Sequence, residues 1–160
     1  MAFETLHLMQ TTRHARQGHM ALKLDMSKAY DRVEWAFLTS QMDKMGFNTK
    51  FIAIIVEYIS IVSYSILING IPHGNFTPTR GIRQGDPLSP CLFILCAERL
   101  HYLLKKAQMD GSISGVSLCR LRPIITHLFF ANDSLLFCRA TREECQNIQD
   151  ILSLYEAASG

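Results

Sequence analysis

One short segment near the start of the chain alternates apolar and polar positions. Its apolar positions are Met20, Leu22, Leu24 and Met26. A period of two is typical of a β-strand with one apolar face, so this segment predicts a strand. Asp25 then lies on the opposite, polar face of that strand.

Helical spacing and capping residues predict a helix on each side of this strand. Apolar residues recur every three positions near the N-terminus, which predicts a helix over residues 2–15. A second helix is predicted over residues 28–45, with Ser27 as its N-cap and Gly46 at its end.

The next segment predicts a helix followed by a hairpin. Asn48 or Thr49 can cap the helix. Its inner face is predicted to hold five residues: Phe51, Ile52, Ile55, Tyr58 and Ile59. A strand over residues 64–68 then leads into Asn69-Gly70, which is a strong signal for a two-residue hairpin turn.

Glycine and proline mark a long loop over residues 72–90. Ser89-Pro90 combines an N-cap with a first-turn proline, which predicts a helix that ends near residue 107. A second hairpin is predicted over residues 124–138, with its tip at residues 131–134.

The final helix is predicted over residues 142–158, because Thr141 and Glu144 form a capping box before it. Paired strands combined with helices predict an α+β fold, in which helices pack on one face of an antiparallel sheet. The opposite face of that sheet would carry Asp25 and the tip of the second hairpin.

Composition narrows the class of protein. The chain has 160 residues, 48% apolar and 19% charged, which fits one globular domain and argues against a disordered chain. The net charge of +2 permits nucleic-acid binding without requiring it. The five cysteines form no CxxC pair, which argues against a disulfide scaffold or a zinc ribbon and favours a reducing, intracellular compartment.

The chain carries no sequence signal for a membrane. Residues 1–10 include Glu4 and His7 and do not form a signal peptide. The most apolar long stretch, residues 88–104, contains charged Glu98 and Arg99, so a core helix is predicted there rather than a membrane span.

Two aspartates are the first candidates for chemistry. Asp25 ends a strand and Asp133 lies at a hairpin tip, so their carboxylates converge if the two strands are neighbours. Converging carboxylates are costly unless a cation neutralises them or one of them binds a proton. Carboxylate oxygens favour Mg²⁺ or Mn²⁺. The alternative is ordinary turn chemistry, because Asp and Asn are common in turns.

Residues 79–90 are the second candidate. The glycines of this loop allow the backbone to approach a ligand closely, and Arg80 and Arg83 can meet phosphates or stack on bases. A capped loop entering a helix would account for Ser89-Pro90, but it leaves residues 83–86 unexplained.

Four stretches together resemble a known family. They are residues 21–35 (ALKLDMSKAYDRVEW), Ile68-Asn69-Gly70, residues 80–90 with Leu92-Phe93, and residues 127–137. The chain resembles the reverse transcriptase of non-LTR (LINE-type) retrotransposons, particularly those of plants. The matching stretches occur in the order and spacing of that family and extend over nearly the whole chain.

The resemblance implies a fold and an activity. It implies a single partial domain, a polymerase palm with part of the fingers and without the thumb. Residues 1–20 and 46–80 would be fingers-side segments, and residues 21–45 and 81–160 would be palm. The implied activity is RNA-directed DNA synthesis on a primer 3′-hydroxyl, with two Mg²⁺ ions (or Mn²⁺), dNTPs, and an RNA template paired with a DNA primer. A nuclear location and no membrane partner are implied as well.

The resemblance also implies roles for individual residues. Asp25, Asp133 and the backbone carbonyl of Met26 would bind metal. Tyr30 resembles the aromatic gate beneath the incoming sugar, which disfavours a 2′-hydroxyl. Contacts with the incoming nucleotide are expected from Ala29, Tyr30, Arg83, Gln84 and Gly85.

Position 132 departs from the family pattern. The family carries two consecutive aspartates where this chain has Asn132-Asp133. An amide oxygen can coordinate Mg²⁺ but is neutral, so the catalytic site has one negative charge fewer. Because of Asn132, and because the resemblance implies that the thumb and part of the fingers are missing, we expect an inactive or nearly inactive polymerase. The alternatives are a catalytically dead remnant that binds nucleic acid weakly, and an unrelated two-metal nuclease, against which the Arg83–Pro90 block argues.

Overall fold

The computed structural model describes residues 18–117, 124–130 and 133–159, and all structural statements below concern that part of the chain. Its strands are β1 (His19–Asp25), β2 (Tyr64–Ile68), β3 (Ile71–Phe76), β4 (Val116–Ser117), β5 (Ile124–Ile125), β6 (His127–Phe130) and β7 (Asp133–Arg139). Its helices are α1 (Trp35–Lys44), α2 (Thr49–Ser60), α3 (Ser89–Met109) and α4 (Arg142–Ser159). The mixture of helices and antiparallel sheets confirms the α+β class.

The largest sheet has three antiparallel strands in the order β1-β7-β6. The register runs from His19 opposite Arg139 to Asp25 opposite Asp133. On the other side of β7, Phe130 is opposite Asp133. The two strands predicted to carry the carboxylates are therefore direct neighbours.

One face of this sheet is covered by helices α3 and α4. Leu136 and Cys138 of β7 are buried in a cluster with Leu100 and Leu104 of α3 and Ile148 of α4. Met20 and Leu24 of β1 pack against the same cluster. The period-2 pattern of β1 therefore identified the correct inner face, and Asp25 lies on the opposite face as expected.

Helices α1 and α2 and the β2–β3 hairpin belong to a second compact unit. Asn48 caps α2 through its side chain, which accepts a hydrogen bond from the Lys50 backbone N–H at 2.9 Å. Asn69 and Gly70 have φ angles of 52° and 81°, as a two-residue hairpin turn requires. These local predictions are confirmed.

The predicted helix over residues 28–45 is wrong in its first part. Lys28 has a φ of 54°, which lies in the left-handed region and cannot continue a right-handed helix. Residues 27–32 form turns, and α1 begins only at Trp35. Gly46 does end the helix, with a φ of 83°.

Other boundaries also differ from the predictions. Part of the predicted loop over residues 72–90 is strand β3, and the predicted second hairpin is divided between the short β4–β5 pair and the β6–β7 hairpin. Phe51 and Tyr58, predicted on the inner face of α2, are more than two-fifths exposed. The predicted helix over residues 2–15 lies outside the described residues.

The chain divides into two compact units. Of the described residues, those within Met1–Ser27 and Ala97–Ala158 form one unit, and those within Lys28–Cys96 and Ser159–Gly160 form the other. The predicted division into fingers and palm segments stays a prediction. None of the described helices is both long enough and apolar enough to span a bilayer.

Candidate functional site

Asp25 and Asp133 face each other across the β1–β7 pair. Side chains of directly opposed residues in an antiparallel pair project from the same face, with Cβ atoms about 5 Å apart. Asp25 is exposed and Asp133 is half-buried, so both carboxylates are within reach of solvent. The structure brings together the two acidic residues that the sequence placed far apart.

Lys23 adds a positive charge to this face of the sheet. Its Nζ lies 3.2 Å from Asp133 Oδ1. Lys23 is two positions before Asp25, and residues two apart on a strand project from the same face. The site therefore contains two carboxylates and one ammonium.

Met26 and Asn132 are the other two residues predicted at the metal site. Met26 follows β1, and its side chain packs against the core cluster. Asn132 lies outside the described residues. Within the described ranges, no group of three or more His, Cys, Asp or Glu side chains is placed to hold a metal ion. The oxygen donors of Asp25 and Asp133 nevertheless suit Mg²⁺ or Mn²⁺ in chemistry.

The predicted nucleotide residues belong to the second unit. The Tyr30 ring stacks on Phe93 of α3, with ring centroids 5.3 Å apart. The Tyr30 carbonyl accepts a hydrogen bond from the Ile82 N–H at 2.8 Å. Tyr30 is thereby fixed directly beside the segment that leads to Arg83 and Gln84. Ala29 precedes it in the same turn.

Gly81 connects the turn over residues 27–32 to the loop that contains Arg83 and Gln84. Its N–H donates to the Val33 carbonyl at 2.8 Å, and its own carbonyl accepts from Trp35 Nε1 at 2.7 Å. Gly81 has a φ of +88°, and a Cβ at this position would lie 2.9 Å from the Asp31 carbonyl oxygen. Only glycine fits this close approach without displacing the backbone.

The loop that follows is fixed by Asp86. Its carboxylate accepts a hydrogen bond from the Tyr58 hydroxyl of α2 and another from the Leu88 N–H at 2.8 Å. The hydrogen bond from Tyr58, with that from Leu88, holds the pKa of the Asp86 carboxyl below its usual value. Arg83, Gln84 and Gly85, which lie between Gly81 and Asp86, are exposed.

A cleft of about 670 Å³ opens beside this loop. Its lining includes polar and aromatic side chains, among them Tyr58, Tyr64, Phe76, Arg80, Arg83 and Gln84. A cavity of this size, with aromatic walls and two arginines, is large enough to admit a nucleotide-sized group.

Sequence reasoning missed three features of these sites. Lys23 could have been found from the sequence, because it is two positions before Asp25 and therefore projects from the same face of the strand. The Tyr58–Asp86 and Trp35–Gly81 hydrogen bonds join residues 28 and 46 positions apart. No local pattern indicates such pairs, because they arise only when separate elements pack.

Comparison with known proteins places the chain in a family. The sequence profile described as Reverse transcriptase (RNA-dependent DNA polymerase) matches residues 1–159. The chain belongs to the reverse transcriptase family. This confirms the resemblance that the sequence motifs indicated.

Several relatives of this reverse transcriptase domain come from non-LTR retrotransposons. The Pol polyprotein of the Drosophila melanogaster type-2 element R2DM is 34% identical over 148 residues, which are 91% of this chain and 13% of the relative. An R2 polyprotein of Popillia japonica is 28% identical over 130 residues, 81% of this chain and 20% of the relative. An uncharacterized mitochondrial protein of Arabidopsis thaliana is 53% identical over 68 residues, 42% of this chain and 56% of the relative.

Solved telomerase structures share the fold of this reverse transcriptase domain. Candida tropicalis telomerase superposes with a TM-score of 0.64 at 16% identity, over 99% of this chain and 31% of that one. Candida albicans telomerase, in complex with a fragment of telomeric RNA, gives a TM-score of 0.63 at 15% identity, over 95% of this chain and 27% of that one. The chain thus spans less than a third of either telomerase.

Proposed function

We propose that this chain carries the catalytic centre of an RNA-directed DNA polymerase, with Asp25 and Asp133 as its metal-binding carboxylates. The observation that supports this most strongly is the β1–β7 register, which sets Asp25 opposite Asp133. Reverse transcriptases use divalent metal ions. When bound, two such ions activate the attacking hydroxyl and stabilise the leaving oxygen.

The reaction is nucleotidyl transfer. The primer 3′-oxygen forms a bond to the α-phosphorus of a dNTP, the bond from that phosphorus to the bridging oxygen breaks, and pyrophosphate leaves. The proton of the 3′-hydroxyl passes to solvent. Asp25, Asp133 and the Met26 carbonyl would hold the metal ions that orient the reacting groups. Lys23 supplies a positive charge beside Asp133.

Nucleotide selection is assigned to the second unit. Tyr30, held by Phe93 and by the Ile82 hydrogen bond, would lie beneath the incoming sugar. Ala29 would border that sugar, and Arg83, Gln84 and Gly85 would contact the nucleotide and the template. The anchored loop supports this role, since a fixed backbone positions a substrate with little loss of entropy.

An RNA template with a DNA primer is the proposed partner. The family description and the RNA bound to the Candida albicans telomerase support a nucleic-acid template. The nuclear location implied by the resemblance stays a prediction, and the Arabidopsis relative is named a mitochondrial protein.

Asn132 weakens the proposed activity. It removes one negative charge from the position where the family carries an aspartate. Losing one charge-stabilising group at an active site lowers rates by about 10²–10³-fold, and a direct metal ligand can cost more. We therefore propose an impaired polymerase.

The test is primer extension by the purified chain. A labelled DNA primer on an RNA template is incubated with dNTPs and Mg²⁺ or Mn²⁺, and Asn132→Asp is compared with the unaltered chain. We expect little extension from the unaltered chain and an increase of about 10²–10³-fold from Asn132→Asp. Asp25→Asn should abolish the gain, and Asp43→Asn, which alters an exposed aspartate of α1, should not. Equal rates for the unaltered chain and Asn132→Asp would contradict the proposal.

The second candidate function is weak, non-catalytic binding of nucleic acid. The neutral Asn132 and the net charge of only +2 favour it. Binding through phosphate contacts alone falls steeply as salt rises. RNA affinity that disappears at moderate salt, with no extension by Asn132→Asp, would support this candidate over the polymerase.

A further inference from the structure

Lys23 has no role in the proposed reaction beyond its charge, yet it contacts a proposed metal ligand directly. Its Nζ is 3.2 Å from Asp133 Oδ1, and the two side chains are 66% and 48% exposed. The β1–β7 register places Asp25 opposite Asp133, and Lys23 projects from the same face of the sheet as Asp25. Lys23 and a divalent cation would bind the same oxygen.

We infer that Lys23 competes with divalent cations for the Asp133 carboxylate and so lowers the metal affinity of the site. This inference rests on the proposed function, because it takes Asp133 as a metal ligand. A Mg²⁺ ion lies about 2.0–2.1 Å from a ligating oxygen. With Lys23 in its observed position, such an ion at Oδ1 would lie within roughly 5 Å of the ammonium.

Coulomb's law gives the size of the expected loss of metal affinity. The repulsion between a double and a single positive charge at about 5 Å, in the high dielectric of an exposed site, corresponds to about a tenfold loss of affinity. Salt and side-chain movement reduce this. Lys23 has a long flexible stem and is mostly exposed, so it can swing away from Asp133 at small cost. We therefore expect a change of about three- to tenfold rather than an all-or-none block.

The same contact has a second consequence for the carboxylates. Two aspartates facing each other across a strand pair repel one another, and the Lys23 ammonium offsets part of that repulsion. With a neutral Asn at position 132, the charges of Asp25, Asp133 and Lys23 sum to a single negative charge. Lys23 therefore cancels one of the two carboxylate charges that would otherwise attract a cation.

The experiment measures Mn²⁺ affinity of the whole chain from the electron paramagnetic resonance signal of free Mn²⁺. The informative variants are Lys23→Gln and Lys23→Ser, which remove the charge with different side-chain sizes. Lys23→Arg keeps the charge, and Lys50→Gln removes the charge of an exposed lysine on α2. We expect Lys23→Gln and Lys23→Ser to lower the dissociation constant about three- to tenfold. Lys23→Arg and Lys50→Gln should leave it within about twofold.

Asp133→Asn separates this inference from the proposed function. If Asp133→Asn weakens Mn²⁺ binding while both charge-removing Lys23 variants bind no more tightly than the unaltered chain, the competition is wrong and the metal site stands. If Asp133→Asn and Asp25→Asn leave Mn²⁺ binding unchanged, the metal site itself is wrong and the inference fails with it. Equal gains from Lys23→Gln and Lys50→Gln would also overturn it, since a general change in net charge would then explain the effect.

Discussion

Gly81 is the residue of the loop over residues 79–90 whose substitution the structure constrains most tightly. Its N–H and carbonyl join the loop to Val33 and Trp35, and its φ of +88° lies in the left-handed region. The sequence showed glycines in a loop that could meet a ligand. It did not show that Gly81 is required by the chain's own backbone at Asp31.

Gly81→Ala should lower the free energy of unfolding of the chain. The left-handed backbone costs a non-glycine residue about 1–2 kcal/mol, and the Cβ contact at 2.9 Å from the Asp31 oxygen forces a backbone shift as well. Strain of that kind adds about 1–3 kcal/mol. Urea unfolding followed by fluorescence of Trp35, the single tryptophan in the chain, measures the loss.

Gly46→Ala is the matched control for Gly81→Ala. Gly46 has a φ of +83°, but a Cβ added there would meet no atom within 4 Å, so this position carries the backbone cost alone. Gly46→Ala should lower the free energy of unfolding by about 1–2 kcal/mol, which is the cost of the left-handed backbone alone. Equal losses for both variants would contradict the close approach at Asp31.

Tyr58 holds the loop over residues 79–90 through the hydrogen bond from its hydroxyl to Asp86. In Tyr58→Phe the Asp86 carboxylate keeps the Leu88 hydrogen bond and loses the Tyr58 hydrogen bond, which has the larger effect in lowering its pKa. The pKa of Asp86 should therefore rise toward the usual aspartate value, as measured by carbon NMR of the carboxyl group. Tyr102→Phe on α3 is the control and should leave Asp86 unchanged. An unaltered Asp86 pKa in Tyr58→Phe would show that the contact does not persist in solution.

At the scale of elements, the start of α4 shows where a local signal was only partly informative. The Glu144 N–H does bond to Thr141 Oγ1 at 3.2 Å, as half of the predicted capping box. The Glu144 carboxylate, however, does not complete the box. It accepts from the Ser114 N–H and hydroxyl at 3.1 and 2.7 Å and from the Arg139 N–H at 2.9 Å. Tertiary contacts redirected a side chain that the local motif assigned to the helix.

Glu144→Gln should destabilise this unit and alter its pH dependence. Glu144 is 7% exposed, and hydrogen bonds to a charged group contribute about 1.5–3 kcal/mol. Burial raises the pKa of the Glu144 carboxyl, but the hydrogen bonds from Ser114 and Arg139 outweigh it and hold the pKa below the ordinary 4.5.

The depressed pKa fixes the sign of the pH effect. A carboxyl whose folded pKa is lowered contributes stability above the unfolded value, and that contribution is lost as pH falls through the folded pKa. The stability difference between the unaltered chain and Glu144→Gln should therefore be full at pH 7 and shrink below about pH 4.5. Circular dichroism during urea unfolding measures it. Glu143→Gln, on an exposed neighbour, should change the stability less.

Elements with strong local chemistry could be predicted from the sequence. The alternation in β1, the Asn69-Gly70 turn and the Asn48 cap each act within a few residues, so the pattern is sufficient. The left-handed Lys28 could not be predicted, because lysine has no preference for that region. The late start of α1 follows from this residue, in a turn whose Tyr30 carbonyl is bonded to Ile82.

At the scale of the whole molecule, the two groups of predicted site residues belong to different compact units. Asp25 and Asp133 lie in one, and Tyr30 and Gln84 lie in the other. The sequence predicted that the aspartates would meet only if their strands were neighbours, and strand order depends on the packing of the complete sheet. The β1-β7-β6 order meets that condition. The catalytic and nucleotide-binding roles of these residues stay predictions.

The proposed activity requires that Asp25 and Asp133 jointly hold divalent cations across β1 and β7. Addition of Mn²⁺ to the nitrogen-15-labelled chain probes this site, because the paramagnetic ion broadens amide signals near its binding position. We expect selective broadening at the end of β1 and the start of β7 together, lost in both Asp25→Asn and Asp133→Asn. Broadening confined to one of these strands, or centred elsewhere in the chain, would show that the two carboxylates do not share a cation.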